Sequence, residues 1–285
     1  MKNFQNLFRR ACLVQLSTSI WQCSKVLNQA ILQEKLGEDN DWLRGRKFLI
    51  NPELLGPIKT AVHQSRNNIK KFALPFPITS IYLVPKDNLS IIDERLQYYK
   101  ERFWERVSEF EALYGEAREE AKTVLGDLFN ETDYPADILT KFRFEHRYLT
   151  LGLPGKTSVL NPEIYEREKE KFQSLMEETR EIAMVALREE FGQLVTHLTD
   201  RMNSNDGKPK MLKTSMFNKL HEFLDSFSTR NVFDDEKLIE LADQARQVVS
   251  GASSYSMQYN DVLRKKMQKG MLSRSTSRVS FSWDA

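Results

Sequence analysis

The residues of this chain that come nearest to a chemical motif are Gly152-Leu-Pro-Gly-Lys-Thr-Ser158. A phosphate-binding loop needs a glycine, four further residues and then Gly-Lys-Thr, between a strand and a helix that begins at the lysine. The end of the motif fits, but Thr150 takes the place of the first glycine, and the next helix is predicted to begin only at Asn161-Pro162. The loop would then lack helix N–H groups directed at a phosphate. We therefore interpret it as a strand-to-helix turn without a nucleotide site, and expect Lys156→Ala to behave as the wild type.

Histidines and carboxylates offer no second motif. None of the four histidines (His63, His146, His197 and His221) lies at metal-ligand spacing from another histidine or a cysteine. We interpret them as surface or boundary residues, and His146, which shares a strand face with aromatic residues, as partly buried and hydrogen-bonded. The two longest predicted helices contain no Glu-x-x-His pair, and the serines form no Gly-x-Ser-x-Gly elbow. The sequence thus predicts no catalytic residue, no metal site, no cofactor and no enzyme activity.

Positive charge is concentrated at the C-terminal end. The whole chain has a net charge of +2, whereas the last 22 residues hold six basic residues and one acidic residue and carry +5. The six are Arg264, Lys265, Lys266, Lys269, Arg274 and Arg278. Basic side chains separated by serines can contact phosphates without sequence preference, and they also occur in flexible, solvated ends. The sequence leaves both interpretations open and favours the second.

Two long amphipathic runs are the elements that must position all these groups. Across residues 89–128 the apolar positions recur at every third or fourth residue, and residues 165–202 do nearly the same, which is the pattern of one stripe along a helix. A single isolated helix cannot bury its apolar stripe. We therefore expect the two helices to pair antiparallel, with a packing seam that includes Phe103, Phe110, Phe172 and Phe191.

Shorter elements surround these runs. Alternation predicts strands at 13–20 and 142–151, the second with Phe142, Phe144, His146 and Tyr148 on one face. The proline-rich segment 72–84 is predicted to be extended or a hairpin. The strand at 142–151 is expected to pair either with this segment or with the strand at 13–20. Helices are predicted at 24–36, 52–71, 212–227, 234–250 and 255–269, with Asp87 or Asn88 capping the first long helix.

The predicted fold class is mainly α: a long antiparallel helical hairpin, or coiled-coil-like arm, with a small β element at its base and a C-terminal helical bundle. The expected domains are an α+β base at 1–88, the arm at 89–202, C-terminal helices at 210–269 and a disordered basic tail at 270–285.

Composition limits the cellular setting. Hydrophobic residues make up 40% of the chain and charged residues 29%, which indicates a core with many solvated helix faces. Cys12 and Cys23 are too few for a disulfide framework and are expected to be buried free thiols, as in a reducing compartment. No run reaches the length of about 20 apolar residues that a membrane span needs, and the N-terminus is a poor signal peptide. We expect a cytoplasmic protein without membrane contact.

The order of several short motifs resembles a bacterial and phage family of unknown function. The motifs are Leu13-Val-Gln-Leu-Ser-Thr-Ser-Ile-Trp21 with Ser24-Lys25, then Lys47-Phe-Leu-Ile-Asn-Pro-Glu-Leu-Leu-Gly-Pro57, then Tyr82-Leu-Val-Pro85 before the first long helix. The resemblance covers about residues 11–150 and departs from the family at the proline-rich segment 72–77, where glycines are expected. It implies an accessory component that works beside a MoxR-type AAA+ ATPase and von Willebrand A domain proteins. It carries no catalytic residues.

The function expected from the sequence is that of a non-enzymatic adaptor or scaffold for such an ATPase or a similar assembly. Two alternatives remain. One is a nucleic-acid-binding protein that uses the basic tail, and the other is a phage structural or assembly protein whose long helices associate with each other.

Overall fold

The computed structural model describes residue 7 and residues 9–36, 42, 44–152, 161–202 and 214–249. The chain forms two compact units that interleave along the sequence. The first unit comprises residues 1–13, 70–89 and 149–285, and the second comprises residues 14–69 and 90–148. The polypeptide therefore passes from one unit to the other four times.

The described elements are mainly helical. The strands are β1 (Ala11–Ser19), β2 (Ser24–Val26), β3 (Arg46–Phe48), β4 (Leu74–Pro75), β5 (Ile81–Pro85) and β6 (Arg143–Leu149). The α-helices are α1 (Gln29–Leu36), α2 (Gly56–Phe72), α3 (Leu89–Leu125), α4 (Pro162–Met202), α5 (Thr214–Arg230) and α6 (Glu236–Val249). The mainly α fold class with a small β element is thus confirmed, as are both long helices and the strands predicted near 13–20 and 142–151.

Two sheets are present among the described residues. In the larger sheet the strands are neighbours in the order β4-β5-β1-β6, and β4 pairs antiparallel with β5 as the predicted hairpin. Of the two neighbours predicted for the strand at 142–151, the one observed is β1. The smaller sheet is an antiparallel ribbon of β2 and β3.

The core of the second unit forms around α3. The predicted stripe is buried at the positions Ile92, Leu96, Phe103, Val107, Phe110, Tyr114, Ala117 and Ala121. The ring of Phe103 packs 5.4 Å from that of Phe144 on β6, and the ring of Phe110 packs 5.7 Å from that of Phe142. Helix α3 ends where Gly126 adopts a φ of +52°, a left-handed conformation that glycine takes without steric cost. The stripe of α3 is therefore covered by residues of its own unit.

The core of the first unit forms where α4, α5 and α6 pack together with the β4–β5 hairpin. Asn161 caps α4 as predicted, because its side-chain oxygen accepts a hydrogen bond from the backbone N–H of Ile164 at 2.8 Å. Phe191 of α4 packs against Phe223 of α5 with ring centroids 5.6 Å apart, and Phe172 is partly buried against the same core. The stripe of α4 is thus also covered within its own unit.

Two ion pairs fasten the corner between α5 and α6 to α4. The guanidinium of Arg230, at the end of α5, donates to both carboxylate oxygens of Glu190 on α4, at 3.2 and 2.5 Å. Arg188 of α4 donates to Asp235 at 2.7 Å, and the other oxygen of Asp235 accepts from the backbone N–H of Leu238 in the first turn of α6. Arg230 and Asp235 are buried, and each of these buried charges is compensated by a partner that is partly exposed to solvent.

Four local predictions need correction or restriction. The predicted helix 24–36 is a helix only from Gln29, because Ser24–Val26 forms β2. Neither predicted cap of α3 is seen, since a 3₁₀ turn (Lys86–Asn88) precedes the helix and Asn88 donates its amide to the carbonyl of Phe72 at 2.8 Å. Cys12 is half-buried rather than buried, while Cys23 is buried as predicted, and burial raises the pKa of both thiols. The predicted helix at 255–269 lies outside the described residues.

Candidate functional site

The β2–β3 ribbon in the second unit presents two faces of opposite character. Its register places Ser24 opposite Phe48, Lys25 opposite Lys47, and Val26 opposite Arg46. Because side chains alternate across a strand, Lys25 and Lys47 share one face, whereas Ser24, Val26, Arg46 and Phe48 share the other. We call the second set the ribbon face.

The lysine face is fixed by one buried carboxylate. Two like charges directly opposite each other destabilise a strand pair, but both ammonium groups contact Asp133, with Lys47 Nζ 2.7 Å from its Oδ2. Lys47 also donates to the carbonyl of Leu128 at 2.5 Å. Asp133 is only 3% exposed, so this three-charge cluster ties the ribbon to the 126–134 segment.

The cluster lowers the pKa of Asp133 below its ordinary value. Burial alone raises this pKa, because it disfavours the charged carboxylate. Hydrogen bonds from Lys25 and Lys47, together with their positive charges, outweigh the effect of burial. The carboxylate is therefore ionised at neutral pH and holds both lysines.

Backbone contacts stiffen the ribbon further. The N–H of Leu49 donates to the carbonyl of Cys23 at 2.7 Å, and the N–H of Leu27 donates to the carbonyl of Gly45 at 2.9 Å. A Cβ atom on Gly45 would lie 2.7 Å from a methyl group of Leu32 on α1, so a larger residue here would require the Leu32 side chain to move. The ribbon is thus held along its length and beneath its lysine face.

The ribbon face itself is left open to solvent. Val26 is 52% exposed and Phe48 is 58% exposed, and the exposed Arg46 donates to the hydroxyl of Ser24 at 2.9 Å. The ribbon face thus combines two large exposed apolar side chains with a neighbouring cation, and its backbone is held in place through the lysine face. Such a surface suits a partner that offers apolar and acidic groups. This is the arrangement that we take as the candidate functional site.

The residues predicted for the helical seam fall into two cores. Phe103 and Phe110 belong to the core of the second unit, and Phe172 and Phe191 belong to that of the first.

The six basic residues of the tail and the motif residues 153–158 lie outside the described residues. His146 has its Nε2 3.6 Å from Oδ1 of Asp93, while its buried Nδ1 has no hydrogen-bond partner among the residues that the structure describes. Asp93 in turn accepts a hydrogen bond from the hydroxyl of Tyr148 at 2.6 Å.

The part of the chain that the structure describes holds neither a metal-binding cluster nor a helix that could cross a membrane. There, no group of three or more His, Cys, Asp or Glu side chains is arranged to hold a metal ion. In the same ranges, no helix combines the length and the apolar character needed to cross a bilayer.

Comparison with known proteins adds no relative. No family model, curated protein or solved structure matches the chain. The family resemblance seen in the motifs therefore stays a prediction.

Sequence reasoning missed the ribbon for a physical reason. The strands are three residues long, too short for their alternation to be distinguished from a loop. Their lysines acquire a structural role only through Asp133, which lies more than 80 residues further along the chain. The sequence holds no local signal for this ribbon, because the alternation of exposed and partly buried residues in Arg46-Lys47-Phe48 is visible only in the structure.

Proposed function

We propose that this chain is a non-enzymatic adaptor and that the ribbon face binds a protein partner presenting apolar and acidic side chains. The observation that carries the proposal is the exposure of Val26 and Phe48 on a ribbon whose opposite face is locked by Asp133. A rigid surface loses little conformational entropy on binding, so its apolar area contributes efficiently to affinity. Arg46 would supply the charge that selects an acidic partner.

The resemblance of residues 11–150 supplies the first partners to test. It implies a MoxR-type AAA+ ATPase or a von Willebrand A domain protein, and all four ribbon-face residues lie within the segment that carries it. The antiparallel pairing of α3 and α4 is not required by this proposal, because each of the two helices buries an apolar face in the core of its own unit. Self-association through the long helices remains a separate prediction.

The test is direct binding of purified partners from the same genome, measured by biolayer interferometry. The double variant Val26→Ser/Phe48→Ser should lose at least about tenfold in affinity, since it removes two apolar anchors. Leu113→Ser/Val124→Ser is the matched control, because these residues are also exposed apolar side chains, 46% and 75%, on α3 of the same unit. The control should bind as the wild type, and both variants should keep the wild-type melting temperature.

Two outcomes would contradict the proposal. Equal affinity of the ribbon variant and the wild type would show that the site is elsewhere. Absence of binding to both the ATPase and the von Willebrand A protein would show that the partner class is wrong. Replacing Arg46 with Glu gives a further check, since affinity should fall most at low salt, where surface charges are least screened.

A further inference from the structure

A cleft of 610 Å³ lies in the second unit, apart from the ribbon face. It is lined by Ser19, Lys100, Trp104, Thr140 and the β6 residues Phe142 to Glu145. Its volume is in the range of small-molecule sites, which is about 300–1,000 Å³.

One wall of the cleft is an aromatic ring in a fixed position. Trp104 is 37% exposed, and its inner part packs edge-to-face on Phe103, with ring centroids 5.5 Å apart. Phe103 is itself fully buried against Phe144. The indole therefore offers a stable surface on which a planar ring can stack.

Two cations reach the same cleft. Lys100 lies one helical turn before Trp104 on α3, and Arg143 begins β6. In the described parts of the chain, the contacts found for Lys100 and Arg143 include no hydrogen bond and no ion pair. Two unpaired cations match the charge of about −1.5 to −2 on a phosphate monoester.

The remaining polar groups suit the other parts of such a ligand. Glu145, whose only described partner is Arg147 at 3.7 Å, can accept a hydrogen bond from an amino group. The hydroxyls of Ser19 and Thr140 donate to backbone carbonyls, which leaves their lone pairs free to accept hydrogen bonds from ribose hydroxyls. A planar ring, an amino group, hydroxyls and a dianion are together the groups of a nucleotide.

We propose that this cleft binds a nucleoside monophosphate, with the base against Trp104 and the phosphate between Lys100 and Arg143. This inference does not depend on the adaptor proposal, because none of the lining residues belongs to the ribbon face. It also differs from the loop 152–158, so Lys156 has no part in it.

The experiment is isothermal titration of the full chain with AMP, CMP, adenosine and inorganic phosphate. The nucleotides should bind with saturation. Adenosine and inorganic phosphate should each bind at least about tenfold more weakly, since adenosine lacks the phosphate and inorganic phosphate lacks the base and the ribose. The double variant Lys100→Ala/Arg143→Ala should lose about tenfold or more in nucleotide affinity. Arg102→Ala, a cation on α3 that donates to the hydroxyl of Tyr98, and Lys156→Ala should bind as the wild type.

Tryptophan fluorescence tests whether the ligand binds next to Trp104. Nucleotide should quench tryptophan emission in the wild type, and Trp104→Phe should remove most of the quenching while keeping affinity within a few-fold, because phenylalanine still stacks. The proposal is overturned if neither nucleotide saturates by about 10 mM, if the Lys100/Arg143 variant binds as the wild type, or if Lys156→Ala abolishes binding. Unchanged quenching in Trp104→Phe would also overturn it.

Discussion

At the scale of single residues, the structure is marked by charges that are removed from water and paired. Asp133 faces two lysines, Asp235 faces Arg188, and Arg230 faces Glu190. Removing one member of such a pair lowers the free energy of unfolding by more than the intact pair contributes to it, because an uncompensated charge remains buried. These residues are therefore the points at which a single substitution should have the largest effect on stability.

Asp133→Asn should destabilise the second unit by about 3 kcal/mol at pH 7, because the two opposed lysines lose their counter-charge. The pKa of Asp133 in the folded chain lies below its value in the unfolded chain, which is about 3.9. Its stabilisation is therefore fully present above that pH and is lost as the pH falls through the folded value. The difference between the urea midpoints of wild type and variant should be large at pH 7 and shrink towards pH 2.

Asp127→Asn is the control for this series, since it removes the same charge from the same segment at an exposed position. It should follow the wild type at every pH. A difference between Asp133→Asn and wild type that stays constant from pH 7 to pH 2 would contradict the assigned role of the carboxylate.

Asp235→Ala should cost about 2–3 kcal/mol in the free energy of unfolding, since it removes both the cap of α6 and the partner of Arg188. Asp234→Asn is the neighbouring control, because Asp234 forms an exposed pair with Arg10 and adopts a φ of +55° that asparagine also tolerates. Chemical denaturation should show a clear shift for the first variant and almost none for the second. Equal shifts would remove the distinction between buried and exposed pairs.

At the scale of elements, the two long helices bury their stripes in different cores. An apolar stripe on a helix must be covered by another element, and the elements that pack on these two stripes include β6 for α3 and α5 for α4. Aspartate in place of Phe103 or Phe191 would bury a charge in one of these cores and should cost several kcal/mol.

Hydrogen exchange can separate the two cores. Phe103→Asp should raise the exchange of α3 and β6, and Phe191→Asp should raise that of α4 and α5, because each variant loosens its own core. Val124→Asp, at a position that is 75% exposed on α3, should change neither pattern. If either phenylalanine variant instead raises exchange along both long helices, the predicted antiparallel seam gains support and the assignment of separate cores fails.

The elements that could be predicted are those whose pattern is long or chemically specific. The stripe of α3 and the cap at Asn161 follow from helical periodicity and from the geometry of a helix N-terminus. The face of α4 was harder to predict. Its buried positions include Met176, Ala183 and Leu187, whereas Leu175, Ile182 and Ala186 are half-buried. Apolar residues stand side by side in each of these pairs, so periodicity alone cannot choose between them.

The candidate site could be predicted from the sequence only in part. Val26 and Phe48 form one surface because their two strands, which are separated in sequence, pair with each other. Asp133 fixes the opposite face of this strand pair. The cleft depends on Lys100 and Arg143 being brought together from α3 and β6. Neither arrangement leaves a local motif, since both result from contacts distant in sequence.

At the scale of the whole molecule, charge distribution separates the adaptor from the nucleic-acid alternative. The last 22 residues carry +5 whereas the rest of the chain sums to −3. If the tail binds duplex DNA, six neutralised phosphates would give a log–log salt slope of about −5, and truncation after Lys269 would reduce it by about 2. For an adaptor we expect weak DNA binding at physiological salt and unchanged partner binding by the truncated chain. Tight, salt-sensitive DNA binding that disappears with the tail would favour the alternative.

The interleaving of the two units has a consequence for synthesis on the ribosome. The second unit is complete once Tyr148 has been made, whereas the first unit must wait for its last helices. Leu74 and Leu83 of the β4–β5 hairpin belong to one core with Leu220 and Phe223 of α5. At about 5–20 residues per second, α5 follows the hairpin by on the order of ten seconds. During that interval the apolar side chains of the hairpin lack the cover that α5 provides in the finished core, so we expect this segment to be a binding site for a chaperone on the nascent chain.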